Sequence, residues 1–541
     1  TPAIATPPVS MHAEPDWKTM HRSTPRRASL LLAITFILQG GCAMVGPDFQ
    51  RPEATVTDQW SLQTGQDITR QPQTEVRWWQ VFNDPALNSL IEIAHAQNLS
   101  LRIAGLRVLE ARAQLGVVTG NLYPQSQTVS GSYSYNRGRE TPATDRYFNQ
   151  ANTGFDAAWE LDFWGKFRRG IESADANLLA SISSYDDVLV TLTAEVARNY
   201  VLVRTLEERI RVANANIAIQ RRSLELTTNQ FETGSVTELD MQQATTQLRN
   251  TQAAIPSLLT SLDKARNALS ILMGMAPQDL GELLGESKAI PSPPAAVAVG
   301  IPADLLRRRP DIRQAEQQAA AQSAQVGIAD AELLPAFTLF GSLGWSVNDA
   351  GQDSMGDLFD ANSFGFSAGP GFQWKVLNYG RLKNQVRVQD ARLEQLLTNY
   401  ENAVLNAAAE VEDAISGFLH SKQEAEFRLQ SAQAAQRSSD LSMLQYTEGV
   451  TLYQSVLDTN RTLAAQQDAY AQTRGNIATN LIAMYKALGG GWEVRSGTDF
   501  VPEDVRRKMS ERTDWGKLLE VSEDNIPASA VPADQWRTPD W

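Results

Sequence analysis

Phe231-Glu232-Thr233-Gly234 and, 215 positions later, Tyr446-Thr447-Glu448-Gly449 are two versions of one turn. The same spacing relates Glu195-Val196 to Glu410-Val411, Trp164-Gly165 to Tyr379-Gly380 and Gly274 to Gly489, whereas Pro124 and Pro335 lie 211 apart. The chain therefore contains a long internal repeat, with four extra residues in a loop of the second copy. Prolines 291, 293, 294 and 302 mark a linker. The reading divides the chain into residues 1–41, a first repeat over 42–275, a linker over 276–301, a second repeat over 302–489 and a tail over 490–541 of no assigned role.

Each copy reads as helix, two strands, long helix, turn, long helix. Leu393, Leu397, Tyr400, Val404, Ala407, Val411, Ala414 and Phe418 recur in steps of four and three. Met241, Ala244, Leu248, Thr251, Ile255, Leu258, Leu262, Ala265, Leu269 and Leu272 do the same. Such heptads pack knobs into holes. Pro256 should kink the second series locally. A helix from about Arg168 to Phe231 would be a rod of roughly 90 Å. Gly234 and Gly449 supply left-handed caps that end the long helices. Ser235-x-x-Glu238 and Thr451-x-x-Gln454 read as capping boxes that open the next ones. Each copy thus has a helical hairpin with a tight tip.

Four segments alternate with period two. Val129, Gly131, Tyr133 and Tyr135 interleave with polar residues, as do Phe155, Ala157, Trp159, Leu161 and Phe163, whose neighbours include Asp156, Glu160 and Asp162. Phe337, Leu339, Leu343, Trp345 and Val347 form a third series, and Phe364, Phe366, Ala368, Phe372, Trp374 and Val376 a fourth. One face is aromatic and aliphatic; the other is small, polar or acidic. Each segment has about the length of a tilted membrane strand. A half-buried sheet on a soluble body would alternate as well. Four strands cannot enclose a water-filled barrel, so a barrel would be shared between identical chains.

Composition agrees with a folded body rather than a helical membrane bundle: 541 residues, 42% of them hydrophobic, with a mean hydropathy of -0.31. The apolar run Ala28–Leu38 is too short to span as a helix. It follows Arg22, Arg26 and Arg27 and precedes Leu38-Gln39-Gly40-Gly41-Cys42, the layout of a secretory signal. The cut falls at the sole cysteine, Cys42, resembling a lipobox with its leucine one place further back than usual. No partner cysteine exists for a disulfide. Ala43 stands where an aspartate would favour retention in the inner membrane. The expected start is Met11 or Met20. The formal net charge is -14, and about -16 beyond Gly41, which argues against nucleic acid as a partner and would make an enclosed lumen cation-favouring.

Longer motifs carry a family resemblance. Cys42-Ala43-Met44-Val45-Gly46-Pro47-Asp48-Phe49-x-Arg51-Pro52, Trp78-Trp79-x-x-Phe82-x-Asp84-Pro85-x-Leu87, Leu305-Leu306-Arg307-Arg308-Arg309-Pro310-Asp311-Ile312 and Leu488-Gly489-Gly490-Gly491-Trp492 together resemble the TolC-like outer membrane factors, specifically their NodT-type lipoprotein branch. The resemblance implies a mixed fold: a trimeric transmembrane β-barrel, four strands per chain and twelve in all, continuous with a long α-helical coiled-coil barrel built from two structural repeats per chain. It implies an efflux channel subunit lipidated at Cys42, with no other cofactor, docking through tips at Gly234 and Gly449 to a periplasmic adaptor and an inner-membrane pump of RND type or similar. It also implies a periplasmic gate. Asp458 falls on the family's gate aspartate, and Tyr446 and Arg461 on its network. Ser455 and Thr451 stand where TolC has a second aspartate and an arginine, so one acidic ring is expected. Three carboxylates on a three-fold axis would repel one another and attract cations.

An enzyme is not expected. His12 and His21 lie in the signal, and His95 and His420 sit in helices without metal-ligand spacing. No phosphate loop or nucleophile elbow occurs. A coiled-coil scaffold lipoprotein without a pore explains the heptads and Cys42 but not the strands. The outer channel of a type I secretion system is a further reading of the same barrel.

Overall fold

The computed structural model describes residues 44–52, 60, 68–69, 76–141, 144–286, 289–294, 297–298, 308–351, 354–495 and 498–519. The signal segment 1–41, Cys42, Ala43, Pro302, Leu305 to Arg307 and the end of the tail lie outside them.

Helices α1 (Pro85–Gln97) and α2 (Leu99–Gly120) lead into strands β1 (Ser126–Thr141) and β2 (Thr144–Leu161). The 67-residue α3 (Lys166–Glu232) and 35-residue α4 (Glu238–Leu272) follow. The same order then recurs as α5 (Pro310–Ala331), β3 (Ala336–Asn348), β4 (Phe364–Gln373), α6 (Arg381–Thr447) and α7 (Tyr453–Ala487), before a short α8 (Glu503–Arg512). Bounds of α3 and α6, and of α4 and α7, differ by 215 at both ends; those of α2 and α5 differ by 211. Gly165 and Gly380, Gly234 and Gly449, and Gly274 and Gly489 all take positive φ. The last pair is also sterically bound to glycine: a Cβ would lie 2.3 Å from Gln97 O at Gly274 and 2.9 Å from Arg309 Cγ at Gly489. The matching spacings in the sequence are thus places where the backbone must turn left-handed.

Equivalent contacts use unlike residues. The Asn98 side chain donates to Leu272 O at 2.8 Å, while Arg309, 211 positions on, donates to Ala487 O at 2.8 Å. Each staples the start of a short helix to the end of its copy's second long helix. Arg309 also reaches Asp311 and Glu410 at 2.7 and 2.8 Å, which is why the Arg-Pro-Asp motif stands there.

The strands form one antiparallel sheet in the order β1-β2-β3-β4. The first hairpin is longer than expected, at 16 and 18 residues. It pairs with itself beyond Gln150, where β2 loses β3 at Asn348. The main core lies where the short helices meet the middle of the long ones, around Trp78, Trp79, Leu90, Val196, Tyr200, Phe418 and Tyr485. The Trp78 ring stacks on Tyr485 at 5.1 Å. His95 belongs to this core: its ring meets Trp79 edge-on and its Nε2 lies 2.8 Å from Thr193 Oγ1. Burial lowers its pKa to about 4, so it is a neutral packing residue at pH 7.

Two local expectations are corrected. The capping box of α4 is Thr237 with Asp240, not Ser235 with Glu238; the Thr237 N–H donates to Asp240 Oδ2 at 3.1 Å. At α7 the N-cap is Leu452; Thr451 instead donates to Ser455 Oγ at 3.0 Å and Gln454 turns down the helix to Asp458. Both helices begin later than the glycine turn alone suggests. Pro256 sits inside α4 without ending it.

Candidate functional site

The sheet sorts its side chains by face. Val129, Phe155, Leu343 and Phe366 lie in one row across the four strands, and Leu161, Phe337 and Phe372 in another on the same side. The opposite face carries the row Thr128, Asp156, Ser342 and Ser367, with the two serine hydroxyls 3.0 Å apart. Phe340 and Phe148 are exceptions on that face, Phe340 lying across Gly369 and Gly371 and Phe148 beside Gly138. Asp162 also leaves the series: its carboxylate accepts the N–H groups of Phe167 and Arg168 at 3.1 and 3.0 Å and caps α3.

Aromatic residues bound the apolar face at both ends. At the helix junction Trp159 Nε1 donates to Leu122 O at 3.1 Å, and Trp374 Nε1 donates to Leu333 O at 3.0 Å. At the far end Tyr135 stacks on Tyr147 and Tyr133 donates to Asn149 Oδ1 at 2.6 Å. Trp159 and Asn149 are ten residues apart on β2. At ~3.3 Å per residue and a tilt near 40°, that separation is about 25 Å along a barrel axis, the height of an outer-membrane apolar band. Amphipathic indole and phenol rings favour such boundaries.

The start of the described chain is tied to the same junction. Val45 N–H donates to Trp164 O at 3.1 Å. The buried Arg169 donates to Val45 O and Gly46 O, both at 3.2 Å, and pairs with Asp48 and Glu172 at 2.7 Å. Gly46 has a φ of 86°, and a Cβ there would fall 2.3 Å from Gly327 Cα. Arg51 pairs with Glu316 of α5 at 2.7 Å. The segment read as a mature lipoprotein start thus docks from the strand end down α5.

At the other end of the long helices the two hairpins meet. Tyr446 is buried and packs edge-on against Tyr453 at 5.4 Å, with Ala244, Val456 and Leu457 around them. The Tyr453 hydroxyl lies 3.1 Å from Ser223 Oγ of α3. Arg461 Nε donates to Gln247 Oε1 of α4 at 3.0 Å, so α7 is tied to the first hairpin twice. Asp458 is exposed one turn away. Its oxygens accept from Gln454 at 3.0 and 3.1 Å, and Arg461 approaches only to 4.0 Å. An exposed pair of that length is worth at most about 1 kcal/mol. Ser455 is exposed, and Gly234 and Gly449 form the open tips with φ of 74° and 73°. The geometry therefore joins Tyr446, Arg461 and the first hairpin, and leaves Asp458 and Ser455 on the surface. Tyr453 and Gln247 escaped the sequence reading, because one is an ordinary heptad aromatic and the other a polar residue inside an apolar series.

A family model described as outer membrane efflux protein matches residues 90–275 and 301–490. Nodulation protein T of Rhizobium leguminosarum bv. trifolii is 30% identical over 459 residues, 84% of this chain and 96% of its own. The probable outer membrane lipoprotein SilC of Salmonella typhimurium is 30% identical over 473 residues, 86% and 99% of the two chains. The solved outer-membrane channel OprN superposes with a TM-score of 0.78 at 31% identity, over 83% of this chain and 99% of that one. The chain belongs to the outer membrane efflux protein family. It is a component of an outer-membrane efflux channel and not an enzyme.

Proposed function

We propose that three copies close a twelve-strand barrel in the outer membrane, each held by lipid on Cys42, and that each chain contributes two structural repeats to a helical conduit below it. The observation that carries this reading is the sheet itself. It has one apolar and one polar face, aromatic rings at both ends, and two edges, β1 and β4, without a strand partner among the described residues. Open edges that long are sealed in lipid only by closure. The docking of Val45 to Asp48 at the strand–helix junction supports acylation of Cys42, since it starts the mature chain at the level of the Trp159 and Trp374 rings. In this reading the tips at Gly234 and Gly449 meet a periplasmic adaptor, which links the channel to an inner-membrane pump of RND type that supplies small molecules.

Asp458 then forms the gate ring. Its weak tie to Arg461 leaves the charge available to the same residue in the other copies. Purified protein should conduct ions in planar bilayers, with Asp458→Ala raising the open probability and lowering cation preference. Absence of conductance from the wild type and from tip variants would favour the scaffold reading instead; equal conductance and selectivity would remove the gate role alone. Mass spectrometry of the N-terminal peptide should show diacylglycerol on Cys42 and none in Cys42→Ser; an unmodified wild-type cysteine overturns the anchor.

A further inference from the structure

Phe340 stands on the polar face of the sheet, in the row Ser126, Ala158, Phe340 and Gly369. The row on one side holds Glu160, Thr338 and Gly371; the row on the other holds Thr128, Asp156, Ser342 and Ser367. Phe340 is the only ring in these three rows. In the barrel proposed above this face lines the water-filled lumen, where an open phenyl group is unfavourable. Two glycines decide where the ring lies. A Cβ at Gly369 would stand 3.6 Å from Phe340 Cζ, and one at Gly371 would stand 3.6 Å from Cε1 and 3.8 Å from Cδ1. One edge of the ring therefore runs along β4 over two residues that have no side chain. Phe148 meets Gly138 in the same way, with its Cε1 3.3 Å from the Cβ position. Covering strand glycines with a ring shields their backbone. That role accounts for Phe148, which is partly buried, but Phe340 keeps 47% of its surface in water.

Charge around this ring is lopsided. Lys166 pairs with Glu332 at 2.7 Å and with Glu160 at 3.4 Å, and Lys375 pairs with Glu332. Two lysines are thus matched by two glutamates at the helix junction. Asp156 lies on the other side of Phe340, two residues along β2 from its partner Ala158. Such diagonal neighbours are about 7–8 Å apart, within reach of an aromatic side chain. Asp156 is exposed and makes no ion pair among the described residues. Each chain therefore sets one unmatched carboxylate beside one open aromatic face, with only serine, threonine, alanine and glycine around them. A cation over a ring face gains from the ring quadrupole, and the carboxylate adds a direct attraction. The small neighbours leave room for a flat group on the ring.

We propose that Phe340 and Asp156 form a stacking subsite on the lumen wall for planar aromatic cations in transit. The subsite rests on the barrel proposed above and names a cargo class for it. Phe340 pairs with Ala158, the neighbour of Trp159, whose indole marks the helix junction. Cargo leaving the helical conduit meets the ring on entering the barrel, and each copy presents one at the same level. The contact is weak by construction, since one ring face and one carboxylate hold only one side of the cargo. A site that bound more tightly would stop passage.

Block of single-channel current by the full-length protein in planar bilayers reads the site. N-methylquinolinium, a flat cation, should block better than tetraethylammonium, which has the same charge and no ring, and better than naphthalene sulfonate, which is flat and negative. Phe340→Ala should weaken the N-methylquinolinium block about threefold to tenfold and leave the tetraethylammonium block nearly unaltered. Phe340→Trp should retain it. Asp156→Asn should weaken block by both cations alike, since only charge is lost. Unaltered block in Phe340→Ala or in Asp156→Asn, equal loss for both cations in Phe340→Ala, or stronger block by the sulfonate overturns the subsite and leaves the channel. Absence of current from the wild type and from tip variants sinks both. If Phe340→Ala does not assemble, Phe340→Leu keeps an apolar cover on the glycines and lacks the π face. It should show the same loss, and a leucine channel blocked as well as the wild type overturns the proposal.

Discussion

Leu343→Arg should remove the protein from the outer membrane, while Ser342→Arg, one residue away, should leave it there and change what passes through it. Leu343 sits in the middle of the apolar row between Phe155 and Phe366. An arginine at the bilayer midplane costs about 2–4 kcal/mol in a barrel strand. In the proposed three-copy barrel the change would act three times at once, so the fraction assembled should fall by several powers of ten. Ser342 lies in the opposite row, beside Ser367 and Asp156. Arginine there faces water and compensates the acidic wall, so conductance should persist with weaker cation preference. The measurement is heat-resistant oligomer in outer-membrane fractions, followed by reversal potential in asymmetric salt. Equal loss for both variants would mean that the sheet has no lipid face.

Arg495→Ala should be the most destabilising single change away from the strands. Arg495 donates to both oxygens of Asp186 at 2.6 and 3.1 Å, and both side chains are buried. The guanidinium also lies 5.0 Å from the Phe500 ring, which closes the C-terminal segment onto α3. Burial is the largest influence on Asp186 and pushes its carboxyl above the usual range even against the pull of Arg495. Desolvation thus consumes most of the pair's attraction, and an apolar pair of similar volume would hold the segment as well. Removing the arginine alone is different, since it strands a buried carboxylate and costs about 3–5 kcal/mol. Thermal unfolding should show a large drop for Arg495→Ala and near recovery for Arg495→Met combined with Asp186→Leu. A drop in the double variant as large as in the single would assign the role to Phe500 packing rather than to charge.

Much of the architecture was legible in one sequence because its signals are local and periodic. A period of two, repeated over four segments, sorted Val129, Phe155, Leu343 and Phe366 onto one face before any contact was known. Steps of three and four marked the buried side of α6 from Tyr400 to Phe418. The glycines spaced by 215 could be matched because a left-handed residue has few substitutes. Family membership was carried by short motifs, and their structural roles proved to be packing ones: Gly46 against Gly327, Arg309 on Ala487 O, Gly491 against Trp78.

Tertiary structure alone decided what depends on partners far along the chain. Nothing near Arg169 announces that it clasps Val45, Gly46 and Asp48, more than a hundred residues earlier. Asn98 and Arg309 perform one task with different side chains, so comparing residue types hides the equivalence. The same holds at the tip, where Tyr446 and Tyr453 bury together while Asp458 stays in water. Backbone periodicity is written in neighbouring residues; the choice of a buried donor's acceptor is written only in the fold that brings the two together. An inequality between the two halves belongs to this second kind: Leu405 and Val190 read alike in sequence, and only the packed chain leaves one of them exposed.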